Sequence, residues 1–185
     1  YGESVLYEGG LVVRTTLDPR LQKLSDAALQ KALIAYDRRR GYRGPVKKLQ
    51  NLDKWAEQLT ALLRQNTVPL LEGQTLAVVT RVEDRRAHIG FANGQEGIIP
   101  LAALAWTRRV VKDGVLGPEV RRAGDVLVRG DVVLVGSLTE EMVKKLPAAE
   151  APVAFDLQQV PAVNGAMVVM DPHTGRVLAM SGGYT

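Results

Sequence analysis

Few side chains in this 185-residue chain combine into a pattern that performs covalent chemistry. The absence of cysteine excludes thiol nucleophiles, disulfides and cysteine-based metal or iron–sulfur sites. The only histidines, His88 and His173, are far apart in sequence, so a histidine-rich metal site is not expected. No serine is followed three residues later by lysine. That Ser-x-x-Lys spacing is typical of enzymes in which the serine is acylated and the lysine assists it. We therefore predict no catalytic residue, no metal site and no cofactor.

The carboxylate pair Glu140-Glu141 also has a structural explanation. Adjacent side chains rarely converge on one substrate atom, and Lys144 and Lys145 follow at the spacing of ion pairs along a helix. The pattern predicts a short exposed helix.

Positive charge is concentrated in the first part of the chain. Residues 1–70 contain 12 Lys and Arg against 7 Asp and Glu, a net +5, whereas residues 71–185 contain 12 against 13, a net −1. The excess lies between Arg38 and Lys48. It indicates either an anionic partner or a helix whose last turn carries Arg38 to Arg40, where cations suit the helix dipole. We prefer the second interpretation.

A long loop rich in glycine and charge is predicted over residues 107–131. Long loops in compact domains are usually functional or disordered, so this loop is the first candidate for a partner-binding surface. Its arginines serve equally well as solubilising residues. The candidate residues are Arg108, Arg109, Arg121 and Arg122, with Trp106 at the start of the loop.

Two other binding functions compete with partner docking. His88, with Arg86 and Phe91 nearby, lies where small barrels of the S1 or OB type bind single-stranded nucleic acid. The near-neutral charge and low aromatic content of this region oppose that function. An oligosaccharide-binding module is the third alternative, and it requires an exposed Trp106 as a platform.

The elements that carry these residues are two helices followed by short strands. Asp18 and Pro19 are typical of a helix start and Gly41 of a helix end, which predicts a helix over 18–40. A second helix is predicted over 53–65 with Asp53 as its cap. Strands are predicted over 11–16, 74–82, 87–92, 95–99, 132–135 and 153–157, with a terminal hairpin formed by 166–170 and 176–180.

These elements predict an α+β chain: a small OB-like five-stranded β-barrel preceded by two helices, with flanking strands forming a small sheet. The expected regions are an N-terminal strand and two-helix linker over 1–70, the barrel over 71–160, and a truncated β-hairpin over 161–185. The chain begins without Met and ends just after a strand, so we expect it to be part of a larger protein.

Specific strings at both ends resemble class A penicillin-binding proteins of the 1A type. The N-terminal strings are Tyr1-Gly2-Glu3, Tyr7-Glu8-Gly9-Gly10-Leu11, Thr15-Thr16-Leu17-Asp18-Pro19-Arg20-Leu21-Gln22, Ala35-Tyr36-Asp37-Arg38-Arg39 and Gly41-Tyr42-Arg43-Gly44-Pro45. The C-terminal strings are Gln159-Val160-Pro161, Gly165-Ala166, Asp171-Pro172-His173-Thr174-Gly175-Arg176-Val177 and Ala179-Met180-Ser181-Gly182-Gly183. The middle of the chain is only loosely similar.

The resemblance implies a noncatalytic module of a peptidoglycan synthase. Such enzymes are periplasmic, single-pass inner-membrane proteins that join a glycosyltransferase to a serine transpeptidase. This chain would be the linker and OB-like domain between the two, with 161–185 opening the transpeptidase domain. The implied partners are those two domains and an outer-membrane lipoprotein regulator, and no nucleic acid is expected.

Overall fold

A computed structural model describes Tyr7, Val12, residues 14–108, Val111 and residues 115–184. The chain divides into two compact units, the first formed by Tyr1–Ala32 and Asn164–Gly183, the second by Leu33–Val163 and Tyr184–Thr185. Within the described residues no helix has the length and apolar character needed to cross a membrane. The region boundaries expected at residues 70 and 160 stay a prediction.

The helices and strands follow the predicted order apart from the expected strand over 11–16 and an additional short strand, Lys47–Lys48. The helices are α1 (Pro19–Arg38), α2 (Trp55–Arg64) and α3 (Glu140–Lys145). The strands are β1 (Lys47–Lys48), β2 (Thr75–Val82), β3 (Arg86–Gly90), β4 (Glu96–Pro100), β5 (Asp131–Ser137), β6 (Phe155–Gln158), β7 (Ala166–Met170) and β8 (Val177–Gly182).

The first unit contains the start of α1 and the small sheet. Oδ1 of Asp18 accepts the backbone N–H groups of Arg20 at 2.8 Å and Leu21 at 3.2 Å, which confirms the predicted helix cap. Strands β7 and β8 pair antiparallel as the predicted hairpin. The N–H of Asp18 donates to the carbonyl oxygen of Leu178 at 2.8 Å, so the chain before α1 runs along β8.

The strand expected over 11–16 requires a correction. Its described residues, Val12 and 14–16, are not in a strand, and Leu11 and Val13 lie outside the described residues. Thr16 reaches the hairpin with its side chain, because its hydroxyl donates to the carbonyl oxygen of Val177 at 2.5 Å.

The second unit is an OB-like barrel. Its sheet runs β6–β5–β2–β3–β4 through antiparallel pairs, with the short β1 beside the start of β5. Within the described residues, the two ends of this path are bridged by a parallel backbone contact between Ile98 of β4 and Ala154, just before β6. This strand order, with a turn of 3-10 helix (Leu101–Leu104) after the third barrel strand, confirms the predicted five-stranded architecture.

Strands β2 and β5 are buried on both faces, which explains their almost uninterrupted apolar sequences. One face points into the barrel, where Ala77 and Val79 of β2 meet Val133 and Val135 of β5. The opposite face packs under α2, which buries Leu59 completely. The residues of this outer cluster are Leu49, Leu59, Leu76, Val78, Val132 and Leu134.

Two glycines allow close approaches that a side chain would block. A Cβ on Gly90 of β3 would lie 2.4 Å from the ring of Trp55, so the missing side chain lets α2 rest on the sheet. Gly130 has φ +92°, and a Cβ there would lie 2.5 Å from the carbonyl oxygen of Leu49. Glycine at position 130 therefore allows the backbone just after β1 to approach the backbone just before β5.

Three local predictions need correction or extension. Helix α2 begins at Trp55 after Lys54, and Asp53 does not cap it; the backbone N–H of Asp53 instead donates to Oδ1 of Asn51. Strand β1 was not predicted, because two lysines show no apolar pattern. Among its described residues, the 107–131 loop includes a turn of 3-10 helix, Ala123–Asp125.

Candidate functional site

A hydrogen-bonded neck joins the entry and exit of the barrel unit; we define it as residues 37–43 and 159–162. Its centre is the buried carboxylate of Asp37. Oδ1 accepts Nη1 of Arg43 at 2.7 Å and the backbone N–H of Ala162 at 3.0 Å, and Oδ2 accepts Nε2 of Gln159 at 2.7 Å. The entry and exit segments are thereby held side by side.

Three further contacts complete the neck, one of them from the backbone N–H of Arg43 to Oε1 of Gln159 at 3.1 Å. Nη2 of Arg43 donates to the carbonyl oxygen of Val160 at 2.5 Å, and Nε2 of Gln159 donates to that of Gly41 at 3.0 Å. Gly41 has φ +82° and ends α1, as the sequence predicts. Adjacent chain ends are the geometry of a domain inserted into another.

The predicted platform residue Trp106 is half-buried, and other side chains occupy its surroundings. The guanidinium of Arg38 lies 4.8 Å from the centre of its ring, and Tyr42 meets it edge-on with centroids 5.9 Å apart. Nη2 of Arg38 also pairs with Oδ2 of Asp156 at 2.5 Å. These contacts disfavour Trp106 as an open platform for a sugar.

Asp156 shows the cost of this buried pair. Desolvation raises the pKa of its carboxyl above the usual value, although Arg38 opposes the shift. Arg38 Nε, Trp106 Nε1 and Asp156 Oδ1 are all buried without a hydrogen-bond partner in the described structure. Arg38 thus anchors the end of α1 to the barrel, beyond the helix-dipole role that we preferred from the sequence.

The four candidate arginines of the 107–131 loop fall into different environments. Nε of Arg108 donates to the carbonyl oxygen of Gly117 at 2.7 Å, so this side chain holds the loop together. Arg121 and Arg122 are exposed. Arg109 lies outside the described residues. The structure thus brings Arg121 and Arg122 together at the surface and leaves Arg108 in a structural contact.

Asp125 fixes the backbone that carries the two exposed arginines. Its Oδ2 accepts the N–H of Arg121 at 3.0 Å and that of Arg122 at 2.9 Å. The N–H of Arg122, and then that of Arg121, lowers the pKa of the Asp125 carboxyl below its ordinary value. The surface at 121–122 is therefore built on a defined turn.

An open cleft of about 570 Å³ lies beside this turn. Its charged lining mixes signs, because Arg108 and Arg121 share it with Glu119 and Asp125. Pro118, Val120 and Val126 supply apolar area. Protein-binding surfaces also combine apolar and charged groups, so this cleft is compatible with such a role.

The face that OB folds use for oligonucleotides carries an internal ion-pair network. Glu83 contacts Arg81 at 2.8 Å, Arg86 at 2.9 Å and His88 at 3.0 Å. Arg86 also pairs with Glu150 at 2.8 Å. The hydrogen bond from Arg86 to Glu83 is the largest cause of the lowered pKa of the Glu83 carboxyl. The cations are already paired, which disfavours phosphate binding, and His88 is half-buried.

The aromatic residue expected to stack bases on this face packs elsewhere. Phe91 lies 4.8 Å from Phe155, centre to centre, and packs against the barrel core. No group of three or more His, Asp or Glu side chains in the described residues is arranged to hold a metal ion.

Sequence reasoning missed the neck and the Asp156 pair. Gln159 and Ala162 follow Asp37 by more than a hundred residues, so no local spacing reveals their contact. Asp156 occupies a polar position of an alternating strand, a pattern that predicts exposure.

Comparison with known proteins identifies the architecture. Residues 42–163 match the family model described as penicillin-binding protein OB-like domain. The chain belongs to this family. The match assigns the barrel to the OB-like domain of penicillin-binding proteins.

Relatives extend the similarity over the whole chain. Penicillin-binding protein 1A of Rickettsia bellii is 38% identical over 96% of this chain and 19% of its own length. That of Vibrio cholerae is 32% identical over all of this chain and 22% of its own. The crystal structure of penicillin-binding protein 1A from Haemophilus influenzae covers 92% of the chain with a TM-score of 0.62 at 25% identity, and 22% of that structure is covered. The chain thus spans about a fifth of the length of these penicillin-binding proteins.

Proposed function

We propose that the chain is a noncatalytic docking and spacing module of a peptidoglycan synthase in the periplasm. The neck is the observation that carries this proposal. Asp37, Arg43 and Gln159 join the entry of the barrel to its exit, as expected of a module inserted into a larger protein. Similarity to penicillin-binding proteins over almost the whole chain supplies the context.

The hairpin supports a continuation into the transpeptidase domain. Val168 and Met180 are cross-strand partners and are 53% and 68% exposed, and Met170 is 53% exposed. A two-stranded sheet is marginal by itself and needs cover on its apolar face. We assign that cover to the remainder of a transpeptidase domain, of which residues 161–185 are the opening hairpin.

We place regulator docking at Arg121 and Arg122 beside the mixed-charge cleft. Asp125 holds their backbone in place, so a partner meets a surface that is already ordered. A bound regulator changes activity only by favouring one arrangement of the catalytic domains. An outer-membrane lipoprotein is the class of regulator that we expect.

The test compares a full-length parent protein with its Arg121→Ala/Arg122→Ala variant. The purified variant should polymerise glycan and cross-link peptides at the parental rate, because neither side chain belongs to a catalytic centre. In cells its cross-linking should fall severalfold. Arg64→Ala, which removes an exposed cation from α2, is the control. Unchanged cellular cross-linking in the double variant would refute docking at this surface.

A further inference from the structure

Another cleft opens on the basic run between Arg38 and Lys48. It has a volume of about 460 Å³, within the range of small-molecule sites. Its charged lining consists of Arg40, Arg43, Lys48 and Asp131. Three cations and one carboxylate therefore share one cleft, a combination that suits a ligand with charges of both signs.

Asp131 supplies an acceptor with an unfilled hydrogen-bonding position. The residue is 1% exposed, and its Oδ2 accepts the backbone N–H of Val128 at 2.9 Å. Its Oδ1 is buried and has no hydrogen-bond partner in the described structure. The nearest cation, Nζ of Lys48, lies 3.6 Å away, beyond hydrogen-bond distance. Buried carboxylate oxygens without donors are rare and unfavourable, so a donor from a ligand would be stabilised here.

The backbone holds this carboxylate in place. Asp131 begins β5 and lies opposite Lys48 of β1. The N–H of Leu49 donates to the carbonyl oxygen of Gly130 at 2.8 Å and fixes the strand end. The Lys48 side chain is 60% exposed, so it can move away from Asp131 at little cost. The acceptor is rigid and its present neighbour is exchangeable.

The rim supplies the opposite charge. Arg40 is exposed, and its guanidinium lies 5.5 Å from the ring centre of Tyr36. Arg43 already pairs with Asp37 of the neck. Tyr42 forms part of the wall and is neutral at neutral pH, and burial raises the pKa of its hydroxyl further. Arg40 and a displaced Lys48 are thus the cations available to a ligand.

We propose that this cleft binds a small zwitterion, an amino acid or short peptide with both a free ammonium group and a free carboxylate. The ammonium group donates to Oδ1 of Asp131 and displaces Lys48. The ligand carboxylate then pairs with Arg40 and the displaced Lys48. Binding is noncovalent and does not depend on the docking role of the 107–131 loop.

The test is a titration of the chain followed by two-dimensional NMR of its backbone amides. Glycylglycine is the probe, with N-acetylglycylglycine lacking the ammonium group and glycylglycine amide lacking the carboxylate. We expect saturable shifts for glycylglycine at residues 40–49 and 126–131. Each blocked peptide should bind about tenfold more weakly, because each loses one charge-assisted contact.

Two arginine variants provide a matched control. Arg39 and Arg40 lie at the same 5.5 Å from the ring centre of Tyr36, but only Arg40 lines the cleft. Arg40→Ala should weaken glycylglycine binding about tenfold, and Arg39→Ala should leave it unchanged. Asp131→Asn, which retains an acceptor for Val128, should abolish the preference for a free ammonium group.

Three results would overturn the proposal: no saturable shifts with glycylglycine, equal affinity for either blocked peptide, or equal effects of the two arginine variants. Equal affinity for the N-acetyl peptide would reveal a plain anion patch. Equal affinity for the amide would reveal a plain cation site. If Asp131→Asn does not fold, the comparison of the three peptides and the comparison of the two arginine variants still test the proposal.

Discussion

Removing the Asp37 carboxylate should destabilise the barrel unit more than the loss of so small a side chain suggests. Asp37→Ala deprives three donors of their acceptor: Arg43 Nη1, Gln159 Nε2 and the Ala162 N–H. An orphaned buried donor costs about 1–3 kcal/mol. The Arg43 side chain is 43% exposed, so its share is discounted to about 1 kcal/mol or less. Gln159 is half-buried and Ala162 is exposed, so their freed donors regain part of their hydration, and we expect the free energy of unfolding to fall by about 2–3 kcal/mol.

Urea denaturation of the chain, followed by tryptophan fluorescence, measures this loss. Asp53→Ala is the matched control, because Asp53 is exposed and should change stability by less than about 0.5 kcal/mol. The slope of the transition should stay constant, since the surface exposed on unfolding is unchanged. A loss below about 1 kcal/mol for Asp37→Ala, comparable to ordinary surface substitutions, would refute the structural role assigned to the neck.

Three further predictions follow from local geometry. Gly130→Ala should lower the free energy of unfolding by roughly 2–4 kcal/mol, because φ is positive there and a Cβ would lie 2.5 Å from the carbonyl oxygen of Leu49. Gly124→Ala, where the nearest atom lies 3.8 Å away, should be nearly neutral. Thermal melts compare the two variants, and equal melting temperatures would contradict the expected strain. Gly90→Ala should displace Trp55 and cost about 1–3 kcal/mol, with a shift in tryptophan emission; unchanged emission and stability would contradict that packing. The turn contacts lower the pKa of the Asp125 carboxyl, so its contribution to folding stability is present above the unfolded pKa of 3.8 and is lost as pH falls through the folded pKa. NMR measures the pKa of this carboxyl in the folded chain. A titration midpoint of 3.8 or higher would contradict the effect assigned to the turn contacts.

Apolar periodicity predicted most of the barrel, because each strand buries at least one face. The run Val132-Val133-Leu134-Val135 predicted a buried strand, and β5 is covered on both faces. Strands were predicted over 87–92 and 95–99, and β3 pairs antiparallel with β4 there, with Gly94 at φ +81° in the connecting turn. Such features depend on residues close in sequence, which a pattern records directly.

Features that depend on distant polar partners were not predictable. Arg38 looked like a last-turn cation, yet it contacts Asp156, 118 residues later. Strand β1 forms because the backbone of Lys47 and Lys48 pairs with the edge of β5, and backbone pairing leaves no mark in the side-chain sequence. The loop arginines were selected by composition, which does not distinguish the backbone contact of Arg108 from the exposure of Arg121.

Exposure of the purified chain to a labelled penicillin tests the central claim most directly. A docking and spacing module should form no covalent adduct, so its intact mass should stay unchanged under conditions that label a full-length penicillin-binding protein completely. A stoichiometric adduct on the isolated chain would show that it contains an acylating nucleophile and would contradict the account.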